Sequence, residues 1–466
     1  MDWLQEILPI LLLLGVVGIV LWRLPKVDIE HSDAFRRRRR YNWIFLGLTY
    51  AFLYFGRYNL AVAKVSLDKE GLMTNETFGT IFGIGAVVYG LSFIINGPLC
   101  DRLGGRMTLI FATIGSSIMN LLMGGILFWW KEQVDLTLAF TILYAGNMYF
   151  QSFGAVSIVK VNSAWFHVRE RGVLGGIFGI LISLGLYFAY DWNGMILRQF
   201  GVVYVFWIPA VVLAACLLAV LFIVRDSPLK AGLKDFDPGD ASSGDTGPRL
   251  SVGAVFMKML RNPVILTIAA IEFCSGFCRN AIMQWGPTFA ARVAIHSEEF
   301  VFENWGLVSC CAGILAGMFA GILSDYFFNS RRGPVSAILY GGMLGGCIVL
   351  FFVLDNMFFG YTLVFMTLCV IGVHGMLSGT ASMDFGGRKN AGVATGLIDA
   401  CVYMGTGVQA FVLGRVLPSM EDSGDPANWI SWPMAMLPFI VIGLILSIRI
   451  WNATANKKSK PVAAAG

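Results

Sequence analysis

The chain has 466 residues, of which 57% are hydrophobic and 14% charged, and its mean hydropathy of +0.71 excludes a soluble globular domain. Its net charge of +5 does not point to a nucleic-acid partner, because the basic residues gather in alternate loops between apolar runs. Nine cysteines, all within or at the ends of those runs, read as packing residues and not as a disulfide framework or a metal site.

Thirteen apolar segments can be drawn, each long enough to cross a hydrocarbon core of roughly 30 Å as a helix. The first, roughly 3–22, starts with Asp2 and Glu6 in place of basic charge, and no small-residue cleavage site follows Trp22-Arg23-Leu24-Pro25. It is therefore read as an additional helix and not as a signal peptide. Twelve core segments follow, at 41–64, 77–99, 107–130, 136–164, 173–190 and 202–224, then 263–291, 302–323, 334–354, 358–380, 391–417 and 430–452. Arg36–Arg40, Arg102 and Arg106, Arg169 and Arg171, Arg331 and Arg332, Arg388 and Lys389, and the tail lysines all fall on one side of this alternation. By the positive-inside rule both ends of the core are cytoplasmic. The polar stretch around DFDPGDASSGDTGPR reads as a flexible linker. The expected organisation is an extra transmembrane helix in 1–30, a six-helix bundle in 31–224, a cytoplasmic linker in 225–262, a second six-helix bundle in 263–453 and a cytoplasmic tail in 454–466.

The stretch Tyr50–Lys64, YAFLYFGRYNLAVAK, places Arg57 about 20 Å along a membrane helix at about 1.5 Å per residue. Such an arginine costs roughly 2.5–3.5 kcal/mol on the more lenient insertion scale, so it should face a cavity and meet a polar or anionic partner. Arg279 repeats the pattern, sixteen residues after Pro263 as Arg57 is sixteen after Tyr41. Asp101 follows Arg57 by 44 residues and Asp325 follows Arg279 by 46; Arg171-Gly172-Val173 and Ala391-Gly392-Val393 are offset by 220. Three landmarks at nearly one offset indicate parallel six-helix repeats about an axis normal to the membrane.

Gly97–Met107, GPLCDRLGGRM, and Gly321–Pro334, GILSDYFFNSRRGP, resemble the Gly-x-x-x-Asp-Arg-x-Gly-x-Arg loop signature of the major facilitator superfamily, complete in the first copy and degraded in the second. A carboxylate, a glycine turn and an arginine can pair charges and cap a neighbouring helix terminus, so Asp101, Arg102, Arg106, Asp325 and Arg331 are candidate gating residues. The fold implied is an all-α integral membrane protein, a major-facilitator-type 6+6 bundle with one additional N-terminal helix. Within that superfamily, Tyr50-x-x-x-Tyr54-x-x-Arg57-x-Asn59-x-Ala61, Tyr89-Gly90-x-Ser92, Glu170-Arg171-Gly172 and Arg279 followed by Trp285-x-Pro287-Thr288 are similar to the organophosphate:phosphate antiporter family, which includes glycerol-phosphate and hexose-phosphate carriers. The resemblance implies that Arg57 and Arg279 bind substrate phosphate and that Tyr50, Tyr54, Tyr89, Gln151 and Tyr403 line the cavity. It also implies exchange of an organic phosphate for inorganic phosphate by alternating access in a bacterial inner membrane. The working unit would be a monomer among membrane lipids, with small anionic substrates, no nucleic acid and no cofactor.

The residues support the anion independently, since two guanidiniums offer bidentate donors to a tetrahedral oxyanion and their mutual repulsion favours a divalent guest. Tyr50, Tyr54 and Arg57 share one helix face by spacing. The sequence departs from the family where Phe93 replaces a lysine, Ile182 a histidine, and Gln284 and Cys310 acidic residues. In their stead stand Glu272, Asp399, Lys160 and His374, read either as ion-pair partners or as proton-coupling groups. Glycines at small-xxx-small spacing, among them Gly79, Gly83, Gly313, Gly317 and Gly321, suit close helix contacts. Two rivals share these features: a proton- or sodium-coupled carrier of another anion, and a membrane sensor of sugar phosphate. An enzyme is not expected, because no nucleophile elbow, metal-ligand cluster or phosphate-cradling loop stands outside the apolar segments.

Overall fold

The computed structural model describes residues 32–166, 183–234, 252–293, 299–328 and 331–453. The expected helix at 3–22, Glu170-Arg171-Gly172, Ile182, the centre of the linker and the end of the tail lie outside the described residues. The first bundle contains α1 (Asp33–Phe55), α2 (Asn59–Lys69), α3 (Asn75–Leu103), α4 (Gly105–Gly125), α5 (Leu136–Trp165), α6 (Asn193–Phe200) and α7 (Tyr204–Phe222). A helix α8 (Val252–Leu260) lies in the stretch read as linker. The second bundle contains α9 (Pro263–Arg292), α10 (Phe300–Glu303), α11 (Trp305–Ile322), α12 (Arg332–Val353), α13 (Phe358–His374), α14 (Ser382–Val416) and α15 (Ser431–Arg449).

Among the described residues, nine helices are long and apolar enough to cross a membrane. The described chain departs from the simple count for physical reasons. The segment 41–64, expected as one helix, is two, because α1 stops at Phe55 and α2 starts at Asn59. Helix α5 spans thirty residues but carries Asn147, Gln151, Ser152 and Ser157, all fully buried, which lower its mean hydropathy while they face protein.

Local chemistry sets the helix ends. The Asn262 side chain accepts from the amides of Val264 and Ile265, and Pro263 occupies the first helical position, so α9 begins there. Gly104, at φ +87°, turns α3 into α4, a conformation that a side chain would strain. Beyond the turn, the Arg106 guanidinium donates to the carbonyls of Val220 (3.3 Å) and Leu221 (2.5 Å), capping the end of α7. Its amide is held by Asp226, which also accepts from Lys230 at 2.9 Å. In the second copy Arg331 donates to Phe328 and Asn452. Both arginines thus bind within their own bundle, and Arg102 is exposed; the side chains of Asp101 and Asp325 lie outside the described residues.

The bundles meet along α3 and α14, and α9 packs along α14. At Gly79 an added Cβ would sit 2.3 Å from the Ala410 carbonyl oxygen and 3.0 Å from Gly414, so only hydrogen permits this approach. The polar ties between bundles gather at the same end. Arg292 on α9 pairs with Asp68 on α2, its guanidinium also meets Asn75 at 3.1 Å, and the Asn75 side chain donates to the Pro418 carbonyl at 2.8 Å. Arg415 meets Glu76 at 3.2 Å, and Asp191 accepts from the first amides of α11, Gly306 at 2.7 Å and Leu307 at 2.8 Å. One end of the molecule is therefore latched shut, while Arg106 and Arg331 of the loop signature at the other end are held within their own bundles.

Gly79→Val should oppose this closure by about 1–3 kcal/mol, the usual penalty for overpacking a tight contact. Spin labels at the exposed Thr74 and Ser419 should then show a population at longer separation that the parent protein lacks.

Candidate functional site

The break between α1 and α2 builds the site. Gly56 and Tyr58 leave helical geometry, at φ/ψ of −92°/4° and −101°/3°, and Arg57 sits between them. Backbone interrupted inside a membrane must find other partners. Here the Gly56 carbonyl accepts from Asn147 (2.8 Å) and Asn120 (3.2 Å), the Phe55 carbonyl from Asn193 (2.9 Å), the Leu53 carbonyl from Gln151 (2.9 Å) and the Arg57 carbonyl from Tyr144 (2.9 Å). Asn59 completes the belt, donating to Asn120 at 2.6 Å. Every donor is fully buried on another helix or helical turn of the first bundle.

This scaffold fixes a fully buried guanidinium. Arg57 Nε and Nη2 donate to the Gln151 amide oxygen at 3.3 and 3.1 Å, whereas Nη1 is buried with no hydrogen-bond partner among the described residues. Its carbon lies 4.5 Å from the ring centre of Tyr54 and 4.6 Å from that of Tyr89, within cation–π range. The rings of Tyr50 and Tyr54 meet edge to face at 5.6 Å, and Tyr89 reaches across the bundle boundary to Tyr403 at 4.3 Å. Phe93 packs against Tyr89 at 4.9 Å and Tyr403 at 6.2 Å, so the position lacking the family lysine joins the aromatic wall.

The second bundle contributes Arg279. Around it Gln284 donates to Asn280 at 3.2 Å, and Asn280 donates to Thr406 at 2.8 Å, tying α9 to α14. Arg279 itself is half-buried and finds no hydrogen-bond or ion-pair partner among the described residues. Tyr54, Tyr58 and Tyr403 each lie within electrostatic reach of both guanidiniums.

The structure thus gathers Arg57, Arg279, Tyr50, Tyr54, Tyr89, Gln151 and Tyr403, with Gln151 orienting the arginine through the bonds given above. Of the candidate coupling groups, Glu272 is fully buried and its Oε2 lies 3.0 Å from His374 Nδ1, Asp399 accepts from the Ser378 hydroxyl, and both carboxylates are within electrostatic reach of Arg279. Lys160 does not join them; it stands beside Gly105, at the end where α4 begins. Sequence reasoning missed Tyr58 and the asparagine belt. Lone asparagines inside apolar runs, and a glycine preceding a buried arginine, were the available signals.

Two helical bundles that each bring an arginine toward the same tyrosines, and that are tied together at one end, make a membrane carrier. The chain belongs to the Major Facilitator Superfamily, which it matches over residues 46–410. It is similar to the glycerol-3-phosphate transporter of Bacillus subtilis, at 25% identity over 91% of this chain and 95% of that protein. A probable hexose phosphate transport protein of Chlamydia trachomatis matches at 24% over 93% and 94% of the two chains, and the membrane sensor protein UhpC of Salmonella typhimurium at 25% over 86% and 90%. Among solved structures, an inward-facing bacterial homolog of the human lysosomal transporter Spinster shares the fold at a TM-score of 0.68, with 14% identity over 90% of this chain and 97% of that one.

Replacing Gln151 with Glu should keep the acceptor for Arg57 but supply a permanent carboxylate, so the solute must compete with it. Half-saturation by phosphate should rise by about tenfold to a hundredfold, the equivalent of a hydrogen bond to a charged group. Gln151→Leu, which strands the guanidinium, should instead lower the thermal unfolding midpoint in detergent.

Proposed function

We propose that the protein exchanges an organic phosphate, of the sugar-phosphate or glycerol-phosphate type, for inorganic phosphate across a bacterial inner membrane by alternating access. The observation that carries this reading is the pair of guanidiniums, one from each bundle, that share three tyrosines without a described carboxylate bound to either. Arg57 Nη1 has no partner among the described residues, which suits it to donate to a phosphoryl oxygen. A doubly negative guest relieves the repulsion between the arginines and draws the bundles together around itself. The transporters and the sensor of phosphate esters among its relatives support the same solute class. With the basic loops cytoplasmic, the latched end faces outward and the chamber is reached from inside. The chain acts on its small anionic substrates as a monomer.

A second reading rests on the Glu272–His374 pair and Asp399 beside Arg279, which place titratable groups next to the anion site. They would carry a proton with the anion. Uptake that accelerates under an imposed pH gradient, into vesicles without internal phosphate, favours this coupling over exchange.

The deciding experiment is phosphate counterflow from proteoliposomes against a panel of organic phosphates. Arg57→Lys and Arg279→Lys should each reduce exchange by about tenfold to a hundredfold, because lysine keeps the charge but loses the fork. Full counterflow in both variants overturns the assignment, and solute binding without counterflow in the parent protein turns it toward a sensor.

A further inference from the structure

The anion site leaves one deeply buried cation unused. Lys64 is fully buried, and its ammonium lies 3.1 Å from a Trp285 ring centre and 4.7 Å from that of Phe78, with no hydrogen-bond partner among the described residues. An ammonium is a compact, strongly hydrated charge with three donors. Ring faces return only about 2 kcal/mol to a desolvated cation, so this packing leaves all three donors unmet. A lysine whose sole task was to fill this space would be better replaced by methionine or leucine.

Its position gives the charge a use. Ala61, Lys64 and Asp68 recur at steps of three and four, and so form one stripe along α2. Arg57 lies just before α2 begins, and Asp68, one turn beyond Lys64, pairs with Arg292 at the latched end. Lys64 stands between them in the chain, about 7.5 Å along α2 from Asn59 at about 1.5 Å per residue. Phe78 belongs to the same bundle as Lys64, but Trp285 belongs to the other, and the two rings meet edge to face at 5.9 Å. Parting the bundles at this end withdraws Trp285 and leaves the ammonium facing the opened cleft.

We propose that Lys64 is an entry site for the phosphate group. Trp285 covers it while the Asp68 end is shut; when that end opens, Lys64 is the first buried cation an incoming anion meets on its way to Arg57 and Arg279. The inference rests on the carrier reading above, and it adds a binding step that only one face of the membrane uses.

The test uses full-length protein in proteoliposomes of defined orientation, with inorganic phosphate as the probe. Lys64→Met should raise half-saturation for phosphate presented at the Asp68 end by about tenfold, the scale of a single local field on substrate concentration. Half-saturation from the opposite face should stay unchanged, and Lys64→Arg should restore the parent value. If Lys64 is merely a latch, removing it favours the open end, and half-saturation there falls or holds; that result overturns the proposal, as does an equal rise from both faces. A measurement on the unmodified chain covers the case in which Lys64→Met does not fold. Sulfo-NHS-acetate added at the Asp68 end during exchange should acetylate Lys64, as read by mass spectrometry, and phosphate should protect it. Acetylation without protection, or none during active exchange, overturns it. Counterflow that survives Arg57→Lys and Arg279→Lys would instead remove the carrier reading on which the inference stands.

Discussion

Positive charge without a resident counter-ion inside a membrane is the constraint from which the rest of this structure follows. A guanidinium at such depth is tolerated only where protein replaces water around it, and Arg57 is met by one amide oxygen and two aromatic faces, none of them charged. Those contacts hold its orientation and leave its charge without a described carboxylate. A carboxylate in the position of Gln151 would make the fold more self-contained and, on the proposed function, the site less able to take an anion. On that reading the arrangement sacrifices stability to keep an electrostatic demand that a solute meets.

Holding the arginine there required breaking the helix that bears it. The carbonyls of Leu53, Phe55, Gly56 and Arg57 are all taken by buried side chains, Gly56 by two, and all five donors come from segments remote in sequence. Because the belt is internal to the first bundle, the bundle can move as a body without disturbing the geometry around Arg57. The loop-signature arginines behave similarly, since Arg106 caps α7 within its own half. Contacts that must form and break in a transport cycle are confined to the seam: the Gly79 approach, the Arg292–Asp68 pair and the Asp191 clasp on α11.

Much of this was legible in the chain itself. Repeated arginines sixteen residues into corresponding segments, and the doubled loop signature, pointed to the two-bundle carrier, because polar residues are costly enough in lipid to be informative one at a time; the anion site between the bundles is the expectation they raise. The break at Gly56 was harder to read: a glycine before Arg57 was its local signal, and the asparagines that make it affordable each look like an isolated polar residue in an apolar run. Nor could spacing reveal that Lys64 would rest on a tryptophan of the opposite bundle, or that Glu272 would pair with His374; those are products of helix packing, which the sequence encodes only collectively. Lys160 was drawn into the candidate set by composition, and its place beside Gly105 follows from how far along α5 it lies.

A cryo-electron-microscopy structure determined with saturating phosphate tests the central claim most directly. The expected result is density for a tetrahedral anion within hydrogen-bond distance of both Arg57 Nη1 and the Arg279 guanidinium, among Tyr54, Tyr58 and Tyr403. A structure in which Glu272 or Asp399 neutralises Arg279, Arg57 remains on Gln151 alone, and the anion lies elsewhere or is absent would contradict it.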